Sequence, residues 1–239
     1  MLDIVVPVYN EDKGILRLFE EIEQEIKTPK HVMIVYDFDE DTTVPVVMEH
    51  RNDYSFKIDL VLNIIGRGAL NAIKMGMQTA TEEMVLVMMA DSSDRLDVVD
   101  TMCGLMEQGY DLICGSRYMK GGKQHGGPLL KGLFSRMAGV SLHVLTRIPT
   151  HDCTNSFKLY RRTMLEQINI ESTGGFEIGL EILVKAYTGG YKIGEVPSQW
   201  FDREEGKSNF HMWRWMPRYL HWYFYCVRNT WFKKKEKQG

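Results

Sequence analysis

Three acids close the segment VLVMMADSSDRLD, Val85 to Asp97: Asp91, Asp94 and Asp97 follow a run of apolar and small residues. Hard cations such as Mg2+ or Mn2+ take oxygen ligands, commonly one or two carboxylates with water and phosphate completing the shell. Asp91, with Ser93 and Asp94 just beyond it, can offer such a partial shell at a strand end. Asp94 and Asp97 read more simply as the cap and first turn of a helix beginning near Arg95. If the chemistry needs a general base, Asp152, Glu177 and Glu181 are the acids available. The spacing of Glu177 and Glu181, four apart on one expected helix, also describes a solvated helix face. Gly66-Arg67-Gly68 follows a strand and opens a helix, where backbone N–H groups can meet an anion; a single G-x-G more often marks a tight turn. The seven histidines show no metal-ligand spacing, and the fifteen methionines read as core filling.

These residues need a scaffold, and the first half of the chain supplies an alternation. LDIVVPVY is a short apolar run ended by Asn10, a good helix cap, with Glu11 and Asp12 behind it. Ile15, Leu18, Phe19, Ile22 and Ile26 then recur at helical spacing. HVMIVYD, FKIDLVLNI, MVLVMMA and YDLICGSR read as four more strands, with helices over about 42–51, 67–80 and 95–108. The pattern predicts an α/β fold in which repeated βα units build a parallel sheet covered on both faces. Ligands of such sheets bind beyond the carboxyl ends of the strands, which is where Tyr9 to Glu11, Asp37 to Asp41, Gly66 to Gly68, Asp91 to Asp94, and Ser116-Arg117 fall. Beyond Arg117, YMKGGKQHGGP reads as a long functional loop. A helix over Leu129 to Thr146, the strand SFKLYRR, a helix over Phe176 to Thr188 and the strand YKIGEVPSQW follow.

An apolar fraction of 44% in 239 residues is ordinary for a folded chain with a core. No stretch approaches ~18 uninterrupted apolar residues, so no spanning helix is expected. The four cysteines lack C-x-x-C or C-x-x-H spacing, and the start of the chain lacks a basic flank followed by an apolar run. A cytoplasmic protein with reduced thiols is the expectation. The net charge of −3 is unevenly spread. From Trp200 onward nine basic residues face four acids, about +5, which leaves about −8 for the rest, and all five tryptophans lie in that same end. Basic residues interleaved with aromatics suit a membrane interface; a pair of aromatic core helices with a solvated lysine tail fits equally well. Nucleic acid is a poor partner for a molecule that is otherwise acidic.

Seven motifs occur together and in order: VVPVYNE, IVYDFDED, GRGALNAIKMG, VMMADSSD, GSRYMKGG, THDCTNSFKLYRR and EVPSQWFDREEGKSNF. From Leu2 to Phe210 the chain thereby resembles the inverting family 2 glycosyltransferases, and among them the dolichol- or polyprenyl-phosphate sugar synthases. The resemblance implies a GT-A-type nucleotide-sugar-binding fold with a mostly parallel sheet over 1–210, followed by an aromatic and basic helical segment over 211–239. It implies a nucleoside-diphosphate sugar as donor and Mg2+ or Mn2+ as cofactor. Pro7, Tyr9 and Glu11 match the segment that holds the nucleoside, with Val35 and Asp37 beside the base. Asp91 matches the metal-binding second acid of the family's D-x-D, preceded by Ala90. Arg117 matches a residue facing the acceptor or diphosphate, Ser135 and Arg136 match phosphate contacts on a helix, and Lys131 stands where arginine is frequent. Arg203 and Lys207 match the R-x-x-G-K-S loop that closes over the site. Met89 replaces the first acid of D-x-D, and Ser93 the usual glutamine. Asp91 would then hold the metal with the diphosphate, helped by Asp94 or Ser93.

The resemblance further implies an acceptor phosphate on a polyprenyl chain, and peripheral attachment to the inner face of the cell membrane. A phosphate monoester is largely dianionic at neutral pH and needs no strong base. Cations to hold it, Arg117, Lys131, Arg136, Arg203 and Lys207, would matter more. Two alternatives stand beside this: a soluble transferase extending a saccharide through a hydroxyl, and a nucleotide-binding protein without catalysis, which Met89 suggests.

Overall fold

A computed structural model describes residues 1–202 and 212–236, of which 212–214 and 233–236 are described by their backbone alone. The alternation seen in the sequence folds as βα units: β1 (Leu2–Pro7), α1 (Ile15–Glu25), β2 (Lys30–Tyr36), α2 (Thr43–His50), β3 (Lys57–Leu62), α3 (Ala69–Thr79), β4 (Met84–Val87), α4 (Val99–Glu107) and β5 (Leu112–Ser116). After these come β6 (Lys123–His125), α5 (Leu129–Thr146), β7 (Lys158–Arg161), α6 (Arg162–Gln167), α7 (Ile178–Gly189), β8 (Ile193–Pro197), β9 (Gln199–Phe201) and α8 (Met212–Glu236).

The central sheet has seven strands in the order β3-β2-β1-β4-β7-β5-β8. Its strands are parallel except β7, which runs antiparallel to both neighbours. The uniformly parallel sheet expected of the first half is therefore interrupted: β7 separates β4 from β5, and it arrives from more than forty residues further along the chain. Helices cover both faces, as the complete burial of β1 and β4 requires. Leu18, Phe19 and Ile22 of α1 are fully buried on one face, each worth about 1.5–3 kcal/mol of burial. On the other face Gly76 of α3 lies so close to β1 that a Cβ there would meet Val5 at 2.2 Å.

Helix starts differ from the sequence reading. Asn10 does not cap α1, which begins at Ile15. It takes a left-handed backbone (φ 54°), its N–H donates to Asp41, and its side-chain carbonyl accepts from the Thr42 N–H at 3.1 Å. Short polar asparagine is among the few residues at ease in that conformation. Part of the loop after Arg117 is ordered as β6, paired in parallel with β9 in a second, two-stranded sheet. The expected single strand YKIGEVPSQW thus breaks at Ser198 into β8 and β9.

Helix α8 packs on α5 and α7. Trp222 and Cys226 are buried there, Trp222 donates to the Ser172 hydroxyl at 3.1 Å, and Tyr223 donates to Ser141 on α5 at 2.9 Å. Trp231 stays half exposed. Among the described residues no helix is long and apolar enough to cross a membrane. The four cysteines are buried and unpaired.

Candidate active site

A cleft of about 1380 Å³ opens beyond the carboxyl ends of β1, β2 and β4. That exceeds the usual range of roughly 300–1,000 Å³ for a small-molecule pocket, so it has room for a nucleotide and a second molecule. Pro7, Tyr9, Glu11, Asp37, Gly68, Met89, Asp91, Arg117, Lys131, Ser135 and Arg136 all line it. Most residues singled out from the sequence are therefore brought together. Val35, Ala90 and Ser93 are instead buried and do not line it, Val35 in the core cluster beneath α3 and Ala90 in the opposite one. Arg203 and Lys207 lie outside the described residues.

Strand order divides the cleft. At the β2 end, the Asp37 carboxylate accepts from Asn63 Nδ2 and from the Gly68 N–H, both at 2.7 Å. The Gly66–Gly68 turn is thus fastened to Asp37, and its N–H is spent on that carboxylate. At the β4 end, Asp91 accepts from the Ser93 N–H at 3.2 Å across Ser92, whose φ is 50°. The Asp91 loop is tied to β9 by a single antiparallel bridge, Asp94 opposite Trp200: the Arg95 N–H donates to Gln199 O at 3.0 Å and the Phe201 N–H to Ser93 O at 2.8 Å.

Two expectations about the later acids are overturned by that arrangement. Asp94 caps nothing. Helix α4 begins at Val99, and Asp94 is buried, accepting from Asn155 Nδ2 at 3.2 Å. Burial pushes its carboxyl up to about 7, against the opposing pull of Asn155 and Arg117. Asp97 is exposed ahead of α4. The acid in the first turn is Asp100, which accepts from the N–H groups of Lys27 and Thr28 and from the Thr28 hydroxyl.

The cationic end is built around Arg117. Its Nε and Nη2 donate to the two oxygens of Asp152 at 2.6 and 2.9 Å, and Nη2 also donates to Ser135 and Thr154 at 3.1 Å each. Tyr118 donates to Ser135 at 2.8 Å, and its ring lies 4.9 Å from the guanidinium carbon. Asp152 is fully buried; burial pushes its carboxyl up, but the charge and hydrogen bonds of Arg117 outweigh that and hold it below the usual carboxylate range. Tyr118, Thr154, Asn155 and Ser156 were not singled out from the sequence, although the last three lie in the THDCTNSF motif. Helix α5 brings Lys131, Ser135 and Arg136 to this end. It can approach so closely because Gly139 has no side chain, a Cβ there falling 2.1 Å from His151 O.

The solvated-face reading of Glu177 and Glu181 fails. Both are buried. Glu177 accepts from the N–H groups of Gly174 and Gly175, at 2.9 and 2.7 Å; Glu181 accepts from Glu171 N, Ser172 N and Lys185 Nζ. They tie down the loop before α7, whose Gly174, Gly175 and Phe176 line the cleft. From Arg117 the cleft continues between α5 and α8 as an apolar groove lined by Phe134, Met137, Val140, Val144, Leu220 and Tyr223.

For a divalent cation the residues present make a thin but fitting shell. Asp91 supplies one carboxylate. The Ser93 hydroxyl two residues on is buried and has no hydrogen-bond partner among the described residues, while Met89 offers only a thioether, a poor ligand for a hard cation. No group of three or more His, Cys, Asp or Glu side chains is disposed to hold a metal among the described residues. The rest of the shell would come from phosphate and water, as is usual for Mg2+.

Comparison with known proteins agrees with this geometry. Dolichol-phosphate mannosyltransferase of Pyrococcus furiosus is 29% identical over 211 residues, 87% of this chain and 58% of the relative, so this chain spans a little over half of that protein's length. Polyprenol monophosphomannose synthase of Mycolicibacterium smegmatis is 24% identical over 211 residues, 86% of this chain and 79% of the relative. Among solved structures, glucosyl-3-phosphoglycerate synthase from Mycobacterium tuberculosis, in complex with Mn2+, UDP-glucose and phosphoglyceric acid, superposes with a TM-score of 0.68 at 12% identity. That match covers 95% of this chain and 79% of the other, and the shared fold is the GT-A type. The model of glycosyl transferase family 2 matches residues 3–168, and with the strand-end cleft in place this chain belongs to that family.

Proposed function

We propose that this chain transfers a hexose, with inversion, from a GDP- or UDP-sugar to the phosphate of a polyprenyl carrier. One observation carries the choice of acceptor: the cleft passes from a cationic centre directly into the apolar groove between α5 and α8. A phosphate with a long apolar tail has both halves of that chemistry. The acids around the centre support the same reading. Asp152 is spent on Arg117, and Glu177 and Glu181 on backbone N–H groups. None is placed to take a proton from a sugar hydroxyl, and a phosphate acceptor needs none taken, being largely dianionic at neutral pH.

In this mechanism the nucleoside lies against Pro7, Tyr9 and Asp37, and the diphosphate lies by Asp91. A Mg2+ or Mn2+ ion bound there would neutralise the leaving diphosphate; Asp91 would hold it, with Ser93 beside it. Arg117, Lys131 and Arg136 hold the acceptor phosphate so that one of its oxygens faces the anomeric carbon opposite the leaving group. A single displacement from that side inverts the anomeric configuration. Bringing two anions together costs Coulomb energy, which cations at a low-dielectric cleft wall offset. Arg203 and Lys207 complete the cationic set in this reading.

Attachment to a membrane surface follows from the acceptor. Helix α5 contains no acid, and α8 contains only Glu236. Leu129 is 90% exposed and Leu130 65%, and Phe224 and Phe232 of α8 are exposed as well. An apolar face flanked by basic residues suits the interface of an anionic leaflet, here the inner face of the cell membrane, reached from the cytoplasm. The test is incubation with labelled GDP- and UDP-hexoses and either a short polyprenyl phosphate or a panel of free saccharides. Product only on saccharide hydroxyls would overturn the lipid-phosphate reading.

A further inference from the structure

The donor's base is the part of the proposed reaction that the residues above leave open, and the nucleoside end carries a cluster with no role so far. Arg67 stands between Gly66 (φ 145°) and Gly68 (φ 111°), two conformations that side chains rarely adopt. Both flanks are fastened: Gly66 O accepts from Asn63 Nδ2 at 2.6 Å, and the Gly68 N–H donates to Asp37 at 2.7 Å. Between these pins the Arg67 side chain is exposed. Its guanidinium carbon sits 5.4 Å from the centre of the Phe38 ring, which meets the Tyr9 ring edge-on at 5.7 Å. Tyr9 is itself 60% exposed where it lines the cleft. Among the described residues the Arg67 guanidinium makes no ion pair and donates no hydrogen bond. An arginine on a pinned turn, with unspent donors beside two partly exposed aromatic rings, is arranged for a ligand.

Strand order says which part of the ligand it meets. Arg67 follows β3, but its turn is fastened to Asp37 at the end of β2, and Asp91 follows β4, two strands from β2 in the order β3-β2-β1-β4, a separation of roughly 10 Å at about 4.8 Å per strand. With the diphosphate at Asp91, an extended nucleoside diphosphate reaches the Tyr9–Phe38–Arg67 cluster with its base. Arginine is a donor-only fork that matches two adjacent acceptors. Guanine presents such a pair, O6 and N7, on one edge; adenine sets a donor beside N7. Uracil separates its two carbonyls by an N–H, and cytosine, with N3 beside O2, is the competitor that the CDP arm of the test separates from guanine.

We infer that Arg67, seated on Phe38 beside Tyr9, reads the donor's base and selects guanine, an inference that rests on the chain's being a nucleotide-sugar transferase. Titration calorimetry with GDP, UDP, CDP and ADP, each with Mn2+ and without sugar or acceptor, tests it. GDP should bind at least ~10-fold more tightly than UDP and ADP, since a good bidentate pair discriminates by about that much. Arg67→Lys, which keeps charge but loses the fork, and Phe38→Leu, which removes the seat, should both lower GDP affinity toward that of UDP and leave UDP affinity unchanged. UDP, CDP or ADP binding as tightly as GDP would overturn the inference. So would variants that weaken all four nucleotides equally, the mark of a phosphate contact. Absence of binding by every nucleotide would overturn the transferase reading as well, whereas tight but unselective binding would overturn this inference alone.

Discussion

Arg117 and Asp152 form a two-point ion pair at the cleft wall, Nε to Oδ2 at 2.6 Å and Nη2 to Oδ1 at 2.9 Å. The pairing fixes the guanidinium plane and at the same time removes the nearest acid from service as a base. Arg117→Lys keeps a cation but loses the fork. Turnover should fall by about 10²-fold, the usual scale for losing one positioned charge donor, with nucleotide affinity close to wild type. Asp152→Asn leaves a buried charge unpaired and should cost about 3 kcal/mol of stability, read from denaturant unfolding. Equal losses in nucleotide binding and in turnover for Arg117→Lys would place this residue on the donor instead.

Met89 lies on the cleft beside Asp91, where a second oxygen ligand would strengthen a hard-cation site. Met89→Asp should tighten Mn2+ binding in the presence of a nucleoside diphosphate by about tenfold or more, given how strongly ligand charge tunes such sites. Asp91→Asn should weaken it by a similar factor. Mn2+ electron paramagnetic resonance reads both without turnover, and unchanged Mn2+ affinity in Asp91→Asn would remove this residue from the metal's shell.

Asp100 ties the start of α4 to the α1–β2 turn through Lys27 and Thr28. Burial pushes its carboxyl up, but the Thr28 hydroxyl and the two backbone N–H groups outweigh this and hold it below the usual carboxylate range. A depressed folded value means that the unfolded chain binds the proton first as pH falls. The stabilisation is therefore present at neutral pH and is lost as pH falls from the unfolded value of about 4 through the lower folded one. Asp100→Asn should be less stable than wild type by about 1 kcal/mol at pH 7. Melting curves at pH 7 and pH 3 should show that difference closing, and a difference that persists at pH 3 would contradict the charge as its source.

Leu130 and Phe224 stand out on the exposed faces of α5 and α8. Replacing both with glutamate puts acid on an otherwise basic and apolar surface, so co-sedimentation with anionic vesicles should fall several-fold while melting temperature holds. Wild-type protein that stays in the supernatant would remove the membrane contact altogether.

The sequence reveals the βα units because each strand of the first half is a near-continuous apolar run and each helix keeps its spacing, as Ile15, Leu18, Phe19 and Ile22 do. The antiparallel β7 is not legible in that way. KLYR pairs with strands far away along the chain, and no local pattern records the pairing. The strand-end rule locates Asp91, Asp37 and Arg117. The cap reading of Asp94 and the solvated-face reading of Glu177 and Glu181 fail, because an acid near a helix start looks the same whether it faces water or is buried against Asn155 or backbone N–H groups. Thr154 and Tyr118 carry no signal of their own; their part depends on where α5 places Ser135.

The most direct measurement is transfer of a labelled hexose from its nucleoside diphosphate to a short-chain polyprenyl phosphate by the purified chain with Mn2+. A product phosphodiester of inverted anomeric configuration is expected, with a rate that shows no dependence on an acidic base between pH 6.5 and 8.5, roughly the range in which the phosphate acceptor is already dianionic. Product confined to saccharide hydroxyls, at a rate that follows the ionisation of an enzyme carboxyl, would contradict it.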